Sequence, residues 1–403
     1  MSKKIVYSSR RNSARGRNNR SNGYRQPQQR SRQPKKAYIH PSKFIAKAKP
    51  QAHLEYNPKH NFADLPIKEL VKQNLEAMGF IKPSIIQDQT IPAALQGKDV
   101  IGIADTGTGK TAAFAVPMLE RLLSNKMSKA IILAPTRELA QQIEHECYKI
   151  SKGSNLKSAV LIGGASMGLQ LRQLKQNPRI IIGTPGRTKD HLERGTLDLS
   201  DFDITVLDEV DRMLDMGFVH DISQILKLTS PNRQSFYFSA TLDERVRSII
   251  ESFSKDPVYV SVKSGDTSSN VEQDIVSYSS DMEKLEKLHN LLLLESVTKT
   301  VVFDDTKRSV DRLSRALEER GIASSAIHGG KTQSQRQRIL RSFKNNEITV
   351  LVATDVAARG LDVADVSHVI NYSTPQSYED YVHRIGRTGR ANKIGYALTF
   401  IEA

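Results

Sequence analysis

A chain of 403 residues, 38% of them hydrophobic, is long enough to bury two or three cores, so more than one lobe is expected. No apolar run approaches the length needed to cross a bilayer, and the one cysteine, Cys147, has no partner to pair with. The composition therefore excludes a spanning helix and a disulfide scaffold, and suits a soluble protein of a reducing compartment such as the cytoplasm. The net charge of +15 belongs to one end: residues 1–60 hold 16 Lys/Arg against the single acid Glu55, while the remaining 343 residues hold 43 of each sign.

Residues 1–55 are rich in Arg, Asn, Gln, Ser and Pro and too poor in apolar side chains to offset the entropy of ordering, which predicts a disordered basic tail. Its chemistry suits a sequence-blind arm for nucleic acid, with Arg for phosphates and Tyr7, Tyr24 and Tyr38 for stacking. The alternatives are a solvated tail that aids solubility and an organelle-import peptide, the latter disfavoured by the Asn/Gln content. No apolar core follows Lys3 and Lys4, which excludes a secretory signal.

From Phe62 onward short apolar strands alternate with amphipathic helices, the pattern of parallel sheets with helices on both faces. Strands are predicted at 100–103, 130–134, 157–162, 179–183, 204–207 and 235–238, forming a first lobe over 60–262. A small-polar stretch without periodicity makes 263–272 the predicted linker. A second lobe, 273–403, follows with strands at 275–278, 300–303, 324–327, 349–352, 368–370 and 395–400. Two α/β lobes leave between them the kind of cleft in which open parallel sheets place ligands.

After the first strand stands Ala104-Asp105-Thr106-Gly107-Thr108-Gly109-Lys110-Thr111, leading into a helical pattern. Unpaired N–H groups and the dipole at a helix start attract anions. Gly107 and Gly109 let the main chain wrap phosphate oxygens, Lys110 reaches the β- and γ-phosphates, and the Thr111 hydroxyl suits Mg²⁺. The general pattern begins with Gly where this chain has Ala104, and an ordinary Gly-rich turn is the alternative. Asp208-Glu209-Val210-Asp211 closes another apolar strand, 204–207. Carboxylates at that sheet edge suit Mg²⁺ held by Asp208, with Glu209 orienting or deprotonating an attacking water.

The ordered set GFIKPSIIQ (79–87), ADTGTGKT (104–111), PTRELA (135–140), GG (163–164), TPGR (184–187), DEVD (208–211), SAT (239–241), ARGLD (358–362) and HRIGRTGR (383–390) resembles the DEAD-box RNA helicases over about residues 60–402, with Val210 in place of the Ala in the family's name. That resemblance implies two RecA-like domains, ATP and Mg²⁺ as cofactors, and an RNA partner read through its backbone with little sequence preference. It implies adenine contacts by Gln87 and Phe62, phosphate contacts by Thr106, Gly107, Thr108, Gly109, Lys110 and Thr111, and a ribose contact by Asp362. Arg387 and Arg390 would be arginine fingers, and Ser239, Thr241 and His383 would couple ATP state to RNA state. RNA contacts are implied for Pro135, Thr136, Arg137, Gly163, Gly164, Thr184 and Arg187 in the first lobe and for Gly329, Arg336 and Thr354 in the second. For Phe62 a place in the core is the competing reading, and for the PTR, GG and TPGR segments it is helix capping. The implied activity is ATP-driven local unwinding of short RNA duplexes by a monomer that enters ribonucleoprotein assemblies. An ATP-timed RNA clamp and a DNA helicase of the same superfamily are the rivals. An end at Ala403, just after the last predicted strand, carries the expectation that no C-terminal accessory domain follows.

Overall fold

The computed structural model describes residues 39–49, 56–105, 107–262, 267–358, 363, 365–389 and 393–403. The first sheet contains β1 (Val100–Ala104), β2 (Ala130–Leu133), β3 (Ser158–Leu161), β4 (Ile180–Gly183), β5 (Ile204–Asp208), β6 (Gln234–Ser239) and β7 (Val258–Val262). Their order across the sheet is β3-β4-β2-β5-β6-β1-β7, with every pairing parallel. The second sheet contains β8 (Val271–Tyr278), β9 (Thr300–Phe303), β10 (Ser324–Ile327), β11 (Val350–Ala353), β12 (His368–Asn371) and β13 (Gly395–Glu402). It runs β10-β11-β9-β12-β13-β8, again parallel throughout.

Helices cover both faces, so central strands are buried on two sides and read as continuous apolar runs: Ala-Ile-Ile-Leu in β2, Val-Leu-Val-Ala in β11. One core of the first lobe gathers Phe114, Ile132 and Phe238, and the other Ile131, Leu207 and Tyr237. Neighbouring residues of one strand thus feed opposite cores, as the pleat requires. A parallel sheet puts all its strand ends on one edge. In the first lobe that edge gathers the segments after β1, β2, β3, β4, β5 and β6, where the sequence places its motifs.

Three expectations are corrected. The strand β7, absent from the sequence reading, pairs with β1 at the sheet edge; its outward Tyr259 and Ser261 dilute the apolar signal. The strand β8 starts at Val271 and so takes Val271 and Glu272 from the predicted linker. Residues 39–49, assigned to the disordered tail, are instead seated on the second lobe. Phe44 is fully buried in a cluster with Val271, Tyr381, Ile385 and Ala397. Ala46 pairs antiparallel with Gln273 on the edge strand β8. Burying one such aromatic is worth about 1.5–3 kcal/mol, enough to hold a segment that composition alone leaves unstructured. The rest of the predicted tail, 1–38 and 50–55, lies outside the described residues. Among the described residues no helix is long and apolar enough to cross a membrane.

Candidate active site

The phosphate-loop segment joins β1 to the helix Lys110–Ser124, whose N-cap Gly109 has φ +96°. A side chain at Gly109 would run into the Gln87 amide, so glycine is required for both backbone and space. Gly107 also has positive φ. The Lys110 ammonium is buried and donates to the Ala104 carbonyl at 2.8 Å, which holds it folded over its own loop. Thr108 Oγ1 donates to the Asp105 carbonyl, and Thr111 stands in the first helical turn. Thr106 lies outside the described residues.

Gln87 is the N3 residue of a capping box on Ser84 and is buried. Its Oε1 accepts from Ser84 N at 2.9 Å and its Nε2 donates to the Gly109 carbonyl at 3.0 Å, while Ser84 Oγ donates to the Thr108 carbonyl. The amide therefore braces the phosphate loop, with one lone pair and one N–H left over for a base edge. Gln87→Ala is expected to weaken ATP binding as a whole and to blur ATP against GTP; competition binding with both nucleotides checks this, and unchanged affinity with full adenine preference would contradict it. Phe62 is buried in the first lobe's core, edge-on to Phe80 with ring centroids 6.0 Å apart.

Asp208 ends β5 and is buried. Burial pushes its carboxyl up to about 7, with Lys110 pulling down and Glu209 pushing up. Glu209 holds a left-handed backbone, φ +52° and ψ +56°, an uncommon conformation for a side chain of this kind. It caps the helix Val210–Asp215, and its buried Oε2 has no hydrogen-bond partner. A desolvated carboxylate and an orphaned carboxylate oxygen beside a buried lysine fit a hydrated divalent cation. Among the described residues no group of three or more His, Cys, Asp or Glu forms a metal cage.

Asp211, which the sequence reading left without a role, links this segment to the next strand end. Its Oδ2 accepts from Ala240 N and Thr241 N at 3.0 Å and from Thr241 Oγ1 at 3.3 Å, and its own N–H donates to Ser239 Oγ. The DEVD and SAT segments are therefore tied to one another.

Pro135, Thr136, Arg137, Gly163, Thr184 and Arg187 line one groove with Gly329 and Arg336 of the second lobe. Thr136 Oγ1 caps the helix Arg137–Ile150, so capping is real there. The Arg137 guanidinium lies against Gly163 and Gly164, and a Cβ at Gly164, where φ is +75°, would collide with its Nη1. Burial depresses the Arg137 pKa, opposed by Glu138 and reinforced by Arg336 and Arg187. Arg137 and Arg187 give the groove a basic lining that favours a polyanion. Behind it Gln170, also missed by the sequence reading, fixes the Gly-Gly turn by donating to the Ile162 carbonyl at 3.1 Å; His191 Nε2 sits 3.3 Å from its Oε1.

Arg336, in the lining of this groove, is paired within the protein. Its Nε donates to Glu138 Oε1 at 2.7 Å with both side chains buried, and Gln333 Nε2 donates to Gln141 Oε1 at 3.0 Å. A buried guanidinium needs partners, and here they tie the second lobe to the first. Thr354 is buried beneath the same lobe, where its carbonyl caps the turn that includes Ala357 and Ala358.

The helix Tyr378–Ile385 carries His383 and Arg384 and leads into Arg387. Arg384 is structural: fully buried, it grips Asp355 through two bonds of 2.6 and 2.8 Å, donates to Asn371 and to the Ser373 carbonyl, and lies over the Phe303 ring. Arg387 lines a small cavity with His383, Asp380 and Asp355, its Nε directed to the His383 carbonyl at 3.4 Å. Arg359, Gly360, Asp362 and Arg390 lie outside the described residues.

Two family models match this chain: DEAD/DEAH box helicase over residues 84–249 and helicase conserved C-terminal domain over 283–392. The ATP-dependent RNA helicase CshA of Listeria monocytogenes is 47% identical over 344 residues, covering 85% of this chain and 66% of that protein. The DEAD-box ATP-dependent RNA helicase CshA of Geobacillus kaustophilus is 46% identical over 342 residues, covering 84% and 73%. Among solved structures, S. cerevisiae Dbp5 bound to RNA and ADP BeF3 is 30% identical, with a TM-score of 0.75, covering 85% of this chain and 89% of that one. The chain thus spans slightly less than two thirds of the length of the first of these relatives. With both models matched in order and the motif-bearing strand ends gathered on one sheet edge, the chain belongs to the DEAD-box helicase family.

Proposed function

We propose that this chain is an ATP-dependent RNA helicase that works locally on short duplexes or RNA–protein complexes, with residues 60–262 as the ATP-binding lobe and 273–403 as its partner. The observation that carries the reading is the brace between Gln87, Gly109 and Lys110 on one side and the buried Asp208–Glu209 pair on the other. Together they make a half-site for a nucleoside triphosphate at a helix start.

In this reading the loop amides and Lys110 bind the phosphates, and Gln87 reports the base. Asp208 and Thr111 would hold Mg²⁺, which supplies charge neutralisation at the transferring phosphoryl group. Glu209 Oε2, without a partner in the protein, accepts a proton from the attacking water. Arg387 neutralises charge developing on the γ-phosphoryl oxygens once the lobes close; Arg390 would act with it and Asp362 would hold the ribose. Asp211 carries the change at the phosphate side to Ser239 and Thr241, and His383 carries it on the other lobe. The groove of Arg137, Arg187 and Gly163, with Gly329 of the second lobe, holds RNA phosphates and 2′-hydroxyls, and Gly164 and Thr354 would add further backbone contacts. The basic residues 1–38 add a sequence-blind arm, and the cytoplasm is the compartment such a chain suits.

The test is ATP turnover with RNA, with DNA and with neither, followed by separation of a short RNA duplex. RNA stimulation with strand separation is expected. DNA stimulation alone, or RNA held without separation, would replace this reading by a DNA helicase or by a clamp.

A further inference from the structure

Residues 39–49 sit on the second lobe where the arginine-bearing segment begins. The Phe44 ring packs edge-on against Tyr381 of the helix Tyr378–Ile385, with centroids 4.8 Å apart, and shares its cluster with Ile385 one turn on. Tyr381 Oη donates at 2.9 Å to Gln273 Oε1, and the Gln273 main chain is the partner of Ala46: Ala46 N donates to Gln273 O at 3.0 Å and Gln273 N to Ala46 O at 2.8 Å. Ala48 N donates to Glu272 Oε2 and Lys49 N to the Ser269 carbonyl. The far side of the arginine segment meets the same cluster. Gly389, φ +68°, lies so close to Val271 that a Cβ there would fall 2.7 Å from Val271 Cγ2. Phe44, Val271, Tyr381 and Ile385 thus hold both ends of the stretch that carries His383 and Arg387.

The next described residues along the chain belong to the first lobe. Tyr56 Oη donates to Asp88 Oδ2, Lys59 N donates to the same oxygen at 2.8 Å, and His60 N and Nδ1 meet Oδ1. Burial alone would raise the Asp88 pKa, yet these bonds bring it below the usual carboxylate range. Asp88 neighbours Gln87, the residue that braces the phosphate loop. Six positions separate Lys49 from Tyr56, so the two anchors are tied at no more than about 25 Å.

We propose that residues 39–49 form a strap that positions the Tyr378–Ile385 helix and the following Arg387 for catalysis, with Phe44 as the positioning residue that seats it. The proposal rests on the ATPase reading above. Neither Phe44 nor its neighbours on the strap touch the reacting atoms. The strap acts by fixing the backbone from which Arg387 projects, and a misplacement of about 1 Å at such a group can cost on the order of 100-fold in rate.

The test uses the full chain with Phe44→Ala and Phe44→Leu, read by steady-state ATP turnover with saturating RNA and by amide hydrogen exchange. For Phe44→Ala the expected result is a kcat lowered by at least about 10-fold with KM for ATP and for RNA within about twofold of wild type. Exchange should be faster in Tyr378–Ile385 and in β8 and unchanged in β2 and β5. Phe44→Leu, which keeps apolar volume, should restore most of kcat. Faster exchange with unchanged kcat would overturn the positioning role, and unchanged exchange would overturn the docking itself. A wild-type chain without ATP turnover would instead overturn the function reading, and the proposal with it.

Discussion

Glu209→Gln is expected to lower RNA-stimulated ATP turnover by about 10²–10⁴-fold, the range for a lost general base, while the thermal midpoint of the chain stays near that of wild type. The stability half follows from Glu209's surroundings. Its buried Oε2 makes no bond in the protein, so an isosteric amide breaks none, and the left-handed backbone at φ +52° is kept. Removing a buried charge next to Asp208 also relieves repulsion, since Glu209 is among the groups that push the Asp208 carboxyl up. ATP binding should survive because the proposed phosphate contacts come from Lys110 and the loop amides. Turnover, nucleotide binding and thermal melting of the same preparation check the three statements. Normal turnover would remove Glu209 from the chemistry.

The second large effect is at Arg387. Arg387→Ala should lower kcat by about 10³–10⁵-fold, the range for an arginine finger, with nucleotide still bound by the first lobe. Arg384 gives the contrast that makes the result informative. It is equally basic and three residues earlier, but it is clamped between Asp355, Asn371 and the Ser373 carbonyl. Arg384→Ala would leave Asp355 without its partner and cost about 3–5 kcal/mol, so its loss would register first as unfolding of the second lobe. Wild-type melting with lost turnover for Arg387→Ala, against lowered melting for Arg384→Ala, separates the two arginines; a folded Arg387→Ala chain with wild-type kcat would contradict the assignment.

How far the sequence could be read depended on whether each signal was local. The strands β2, β4 and β11 announce themselves because burial on both faces demands unbroken apolar runs. The edge strand β7 alternates buried Val260 and Val262 with exposed Tyr259 and Ser261, and over five residues that is too weak to separate from a loop. The strap was illegible for a different reason. Its anchor, Phe44, stands alone in a polar, basic stretch, and its partner Tyr381 lies more than 330 positions away.

The same division holds within the site. Asp208 and Glu209 stand at a strand end and Gly109 and Lys110 at a helix start, both of which periodicity locates. What periodicity cannot supply is which atom meets which. Gln87 bonding Gly109, Asp211 tying DEVD to SAT, and Arg336 spending its guanidinium on Glu138 are all tertiary choices. The edge-on contact of Phe62 with Phe80 is likewise a tertiary pairing that residue type alone does not announce.

The central claim is that one closure of the lobes serves both ligands, so that binding of each favours the other. Linkage makes this quantitative: the factor by which a non-hydrolysable ATP analogue tightens RNA must equal the factor by which RNA tightens the analogue. The direct measurement is the affinity for a single-stranded RNA with the analogue, with ADP and with no nucleotide, at one fixed salt concentration, together with the affinity for the analogue with and without RNA. The predicted result is an equal enhancement in both directions with the analogue, on the order of 5–150-fold, and a much smaller one with ADP. RNA affinity that is the same in all three nucleotide states would contradict it.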